Sequence, residues 1–92
     1  MLELVPTTQF RRDYKLMKRR GYDMALLESI INTLLEEKSL DARHHDHALA
    51  GRYTGLRECH IRPDWLLIYA IDREMLTLTA SRTGTHSDLL DR

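Results

Sequence analysis

The run WLLIYAI, residues 65–71, decides the fold. It is bounded by turn signals, Arg62-Pro63-Asp64 before it and Asp72-Arg73-Glu74 after it, and so reads as a strand. A half-buried strand alternates apolar and polar residues. This one is apolar on both faces, which places it at the centre of a sheet with cover on both sides. Outward from it, residues 53–61 and 75–82 read as flanking strands. Connections this short force an antiparallel meander.

Upstream, residues 40–51 lose all periodicity in the polar, histidine-rich DARHHDHALAG and read as a loop. Before that come two helices. Thr7 or Thr8 offers an N-cap, and Phe10, Tyr14 and Met17 fall at i, i+4 and i+7 until Gly21 ends the helix. Asp23 caps a second helix in which Met24, Leu27, Ile30, Ile31, Leu34 and Leu35 recur at helical spacing through about Lys38. So short a link lays the two antiparallel as a hairpin. Leu2, Leu4 and the stop at Pro6 suggest a short first strand. The order β-α-α-β-β-β predicts an α+β fold, a single domain over 1–92 with the hairpin packed on one face of a small antiparallel sheet.

Ninety-two residues bury one modest core. An apolar fraction of 42% with 30% charged residues is that of a globular protein, and no apolar run approaches the roughly 18 residues of a membrane span. No basic leader precedes an apolar stretch, so a cytoplasmic location is expected. Cys59 is the single cysteine and is expected to be a buried strand residue. The formal net charge is zero, yet the charges are segregated. Residues 1–22 hold Arg11, Arg12, Lys15, Lys18, Arg19 and Arg20 against Glu3 and Asp13, whereas residues 23–41 are acidic. A basic first helix could meet phosphates, and a solvated helix face accounts for the same pattern.

In a meander, the end of one strand, the start of the next and the end of the third lie along one edge. His60 thereby meets Asp64, Trp65, Arg82 and His86 within roughly 10 Å, since neighbouring strands are about 4.8 Å apart. His47 is not placed by this argument. Two imidazoles, a carboxylate and a guanidinium suit acid–base chemistry at a phosphodiester whose nucleophile is the RNA 2′-hydroxyl. Histidine exchanges protons near neutrality, Arg82 is a bidentate phosphate partner, and Trp65 is a flat face for an unstacked base. Each also has a bland reading: surface histidines, a core indole, an arginine paired with an acid. A metal site in His44–His47 lacks a complete ligand set, so no metal or other cofactor is expected.

The segments DHALAG (46–51), ECHIRPDWLLIY (58–69) and SRTGTHSDLL (81–90) make the chain resemble the RelE/ParE superfamily of bacterial toxins, most closely its YafQ-type branch. The resemblance implies a type II toxin–antitoxin toxin that cuts mRNA in the ribosomal A site without a metal. Its implied partners are the 70S ribosome with mRNA and a DinJ- or RelB-like antitoxin in a hetero-oligomer, with no membrane. It carries His47, His60, Asp64 and His86 over as the acid–base set, with Trp65 and Arg82 on the substrate. His60 and Asp64 would take the 2′-hydroxyl proton, His86 would protonate the leaving oxygen, and His47 and Arg82 would hold the phosphate; exchange among the histidines stays open. Leu90 stands where the family pattern has an aromatic, which would alter grip on the substrate. Arg62 receives no role. The alternative within the superfamily is a ParE-like inhibitor that binds DNA gyrase, against which HxxPDW and TGTH both argue.

Overall fold

In the computed structural model, which describes residues 1–90, the chain runs β1 (Glu3–Pro6), α1 (Thr8–Arg19), α2 (Met24–Leu35), β2 (His47–Ala48), β3 (Arg57–Arg62), β4 (Trp65–Asp72), β5 (Thr77–Gly84) and α3 (His86–Leu90). The strands form one sheet in the order β1-β5-β4-β3-β2, so WLLIYAI lies in its middle strand. β2 to β5 are antiparallel, and β1 joins the outer side of β5 in parallel.

Trp65, Leu67 and Tyr69 of β4 pack with Phe10, Met17, Leu27 and Leu34 of the two long helices. Leu66 and Ile68 point to the other face by alternation and are also buried, at 0% and 4% exposure. The strand is therefore covered on both sides, as its composition predicts. Thr7 is the N-cap of α1, accepting from the Phe10 N–H and donating to the Ser81 carbonyl, which fixes the helix against β5. Gly21, at φ +87°, makes the left-handed turn between the helices, and Asp23 caps α2.

Several boundaries differ from the sequence expectation. α2 stops at Leu35, because Glu37 takes φ +59° and the Glu37 and Lys38 N–H groups turn back to Leu34 and Thr33. Residues 51–53 form a single 3-10 turn and the chain turns again through 54–56, the Thr54 and Leu56 N–H groups being bonded to the Gly51 and Tyr53 carbonyls, so β3 begins only at Arg57. β5 begins at Thr77, after Asp72 accepts from the Glu74 and Met75 N–H groups. The segment expected to be all loop contains the short strand β2, and α3 forms where the sequence pattern predicts no helix. Bulges fall at His60–Arg62 and opposite Ile68–Tyr69, flanking the region where the candidate site lies.

One buried hydroxyl links β4 and β5. The Trp65 indole donates to Thr83 Oγ1 at 3.0 Å, and Thr83 donates to the Leu66 carbonyl at 2.7 Å. Thr83→Val keeps the shape and strands the indole N–H, so urea denaturation should show a loss of about 1–3 kcal/mol.

Candidate active site

Cross-strand register assembles the site. His47 pairs with Glu58, Glu58 with Ile68, and Ile68 with Arg82, a row across four strands. In the adjacent row His60 pairs with Leu66, and Leu66 with Gly84. Directly opposed residues share a face, and this is the face away from the helical hairpin. Leu66 and Ile68 form its apolar floor. The row also separates its ends, because His47 and Arg82 are three strand spacings apart, about 14 Å.

Above the floor, the His60 and His86 rings stand 5.5 Å apart, edge to face. Each imidazole has its own carboxylate. His60 Nε2 lies 3.3 Å from Glu58 Oε1, and His86 Nδ1 lies 2.6 Å from Asp64 Oδ1. The Asp64 oxygen also accepts from the His86 backbone N–H at 2.9 Å. Those two bonds, the backbone one foremost, hold the Asp64 carboxyl below its ordinary range. A carboxylate only accepts, so His86 carries its proton on Nδ1 here and presents Nε2, while His60 presents Nδ1. Asp64 thus serves His86 and not His60, contrary to the grouping expected from sequence. The pairing arises because Pro63 and Asp64 turn β3 into β4 beside the start of α3. Gly84 admits that close return, since a Cβ there would meet Asp88 Cβ at 3.0 Å.

Arg82 is committed on one side. Its Nε and Nη2 donate to Asp13 of α1 at 2.7 and 3.3 Å, which leaves Nη1 without a partner among the described residues. Asp13 is itself buried and also takes the Thr83 N–H at 3.2 Å. His47 holds its Nδ1 on the His45 carbonyl and is exposed. Leu90 is half-buried at the end of α3. Trp65 is not a stacking platform: at 1% exposure, with its ring edge on Tyr22 and its N–H on Thr83, it offers no face to a base. Cys59 is buried as expected, and burial pushes its thiol up to about 12, which leaves it inert at neutral pH.

Three participants lie outside the set expected from sequence. Glu58 is buried beneath His60. His45 stacks edge-on against His60 at 5.5 Å, a contact that nothing in its spacing predicts. Asp13 is the carboxylate behind Arg82. The Glu58–His60 spacing of two in a strand is a usable signal, because it puts both on one face. Glu58, His60 and His86 each offer a ligand atom within 4.8 Å of the others, so these residues, and not the His44–His47 run, are where a metal ion would be held. Arg62 lines the groove that opens beside His60, with Arg43, His44 and His45.

Residues 2–91 match the family described as bacterial toxin of type II toxin–antitoxin system, YafQ. The mRNA interferase toxin YafQ of Escherichia coli strain K12 is 38% identical over 82 residues, covering 88% of this chain and 87% of the relative. A metal-bound toxin from Helicobacter pylori superposes with a TM-score of 0.92 at 37% identity, over 97% of this chain and 99% of that one. A toxin in the Escherichia coli DinJ–YafQ complex superposes with a TM-score of 0.88 at 34% identity, over 97% and 98%.

The helix bearing His86 is held by Asp88, which accepts from Arg20 Nη1 at 2.7 Å and from the Thr85 N–H at 3.0 Å. The Arg20 guanidinium, more than any other group, lowers the Asp88 carboxyl to about 2. With an unfolded-state value of about 3.9, Asp88 contributes stability in full above about pH 4 and loses it as pH falls towards 2. Thermal unfolding followed from pH 5 to 2 should therefore show a falling midpoint, and Asp88→Asn should flatten part of that fall.

Proposed function

The chain belongs to the YafQ family of bacterial type II toxin–antitoxin toxins, and from that membership we propose that it is an endoribonuclease that cuts mRNA in the ribosomal A site by acid–base catalysis. The observation that carries the chemistry is the pair of imidazoles 5.5 Å apart, each oriented by a separate carboxylate.

A phosphodiester lying over the Leu66–Ile68 floor meets a proton acceptor and a proton donor on either side. His60, with Nε2 turned to Glu58, takes the 2′-hydroxyl proton on Nδ1. The 2′-oxygen attacks phosphorus, and the bond to the 5′-oxygen breaks. His86, protonated and held through Nδ1 by Asp64, gives the Nε2 proton to that oxygen. The products are a 2′,3′-cyclic phosphate and a 5′-hydroxyl, and solvent returns both histidines to their starting states. Arg82 Nη1, which Asp13 does not take, stabilises charge on the phosphate oxygens, and Asp13 keeps the guanidinium aimed. His47 presents Nε2 to the phosphate from the other end of the row. No step calls on a metal.

A cognate antitoxin is the expected protein partner, since an Escherichia coli relative is found as a DinJ–YafQ complex. Leu90 in place of an aromatic at the end of α3 weakens any stacking contribution there, so binding of the substrate base rests on other groups.

His86→Ala should lower cleavage roughly 10²–10⁴-fold, the contribution of one acid–base group. Mapping of mRNA 5′ ends after induction in cells should find cuts within codons for the parent and not for the variant. Cuts that persist in the variant would assign the cleavage to another nuclease.

A further inference from the structure

We propose that the groove beside His60, between α2 and the end of β3, is the subsite for one base of the cut strand, that of the nucleotide whose 2′-hydroxyl attacks. The inference rests on the function proposed above. β2 pairs with β3 only at Arg57 and Glu58, so from Cys59 onward the outer edge of β3 has no neighbouring strand. The segment before β2 folds back over that edge, where His44 Nδ1 donates to the His60 carbonyl at 2.6 Å. A cavity of about 720 Å³ is left among this segment, α2 and the end of β3, which is within the range of small-ligand sites.

Its walls suit a flat apolar ring that arrives with a negative charge. Leu26, Ile30, Ile61 and Pro63 line it, and among the described residues no carboxylate does, whereas the groove against Tyr69 carries Glu37 and Asp46. Two guanidiniums stand in its wall with little to hold them. The exposed Arg62 side chain makes no hydrogen bond or ion pair among the described residues, and Arg43 meets only the exposed Asp41, at 4.0 Å. The ring of His45, also exposed and in the wall, is the kind of aromatic on which unstacked bases are held. The site needs such a face, since Trp65 is buried at 1% exposure and Leu90 is aliphatic. Apolar walls, an imidazole and loosely held arginines match a nucleobase and its backbone phosphate.

The order of the rings sets which nucleotide this is. His60 has His45 on one side and His86 on the other, each at 5.5 Å, and the groove is lined by His45 and His60 and not by His86. His60 is the acceptor for the 2′-hydroxyl proton and His86 the donor to the leaving 5′-oxygen. The nucleotide before the cut therefore lies towards His60, and the one after it towards His86. The groove is continuous with the site through His60 and so meets the nucleotide before the cut. The same continuity favours the strand being cut over a protein segment, which has no need of the imidazoles. Arg62, two residues from His60, then holds the phosphate that accompanies the base.

The probe is ribosome-bound mRNA with a 2′-deoxy A-site codon, which stays whole, carrying 2-aminopurine at each codon position in turn. Binding of the parent should change the emission at the position before the cut, and Leu26→Ala should abolish that change there alone. Cleavage is then followed in single turnover at saturating toxin. An abasic ribose before the cut, which keeps its 2′-hydroxyl, should slow the parent about tenfold, the contribution of one held base, and an abasic ribose after the cut less than about threefold. Leu26→Ala should slow cutting of unmodified RNA and add nothing on RNA abasic before the cut, a coupling that a merely structural loss does not produce. Arg62→Gln should slow all of these substrates alike, because it meets phosphate and no base. Thermal unfolding checks that both variants fold. Emission that changes at no position, or that changes as much with Leu26→Ala as with the parent, overturns the subsite. Equal slowing of unmodified and abasic RNA by Leu26→Ala also does, as does a response confined to the position after the cut, or a Leu26→Ala variant that cuts as the parent does and fails only to bind its antitoxin. The emission needs no cleavage, so failure of the nuclease reading, seen as unmodified mRNA left whole by the parent, shows separately.

Discussion

A buried carboxylate with no partner is too costly to keep, and Asp13, at 7% exposure, is matched on every side. It accepts from Arg82 through two nitrogens, from the Thr83 N–H at 3.2 Å and from Gln9 at 3.1 Å. β1 covers only the first half of β5, and beyond Ala80 the outer edge of that strand would stand open. Asp13 closes it. Through Thr83 the same contact reaches the Trp65 indole and the Leu66 carbonyl, so one helix side chain ties α1, β5 and β4 together. Through Arg82 it reaches the candidate site, where a guanidinium with a fixed pose is worth more than a mobile one.

The second requirement is that two histidines remain close and yet differ. A sheet provides the closeness, since His60 is pinned in β3 by register and His86 is returned to its side by the short α3. The difference comes from their carboxylates. Glu58 is buried and holds His60 by Nε2, whereas Asp64 is exposed and holds His86 by Nδ1. Different ring nitrogens are left unpaired with a carboxylate, which is what the proposed base and acid on opposite sides of a phosphorus need. The Arg20–Asp88 pair makes this arrangement depend on α1 a second time, at its C-terminal cap.

Much of this is legible in the chain. Apolar spacing locates both helices, and WLLIYAI bounded by two turns requires a central, doubly covered strand. HIRPDW marks the place where neighbouring strands bring side chains together. What stays hidden has a physical reason in each case. Asp13 looks like one acid among exposed bases on a helix, because Arg82 and Thr83, which bury it in the fold, are 69 and 70 positions away. Trp65 reads from sequence as a platform or as core, and a tryptophan opening a buried strand obeys the core when a hydroxyl such as Thr83 can take its N–H. Asp64 lies nearer His60 in sequence and yet bonds His86, since no pattern in the sequence marks the start of α3. β2 has two residues in a polar segment, too few for any alternation to show, so neither its register nor the contact of His45 with His60 can be derived from it.

The central claim is that two side chains move protons while the RNA supplies its own nucleophile. It is tested most directly by replacing the 2′-hydroxyl at the mapped cleavage position with hydrogen and following single-turnover cleavage of ribosome-bound mRNA. The account predicts that the unmodified RNA yields a 2′,3′-cyclic phosphate and that the 2′-deoxy substrate is not cut at that position. Cleavage of the 2′-deoxy bond at an undiminished rate would show that the nucleophile comes from elsewhere and contradict the mechanism.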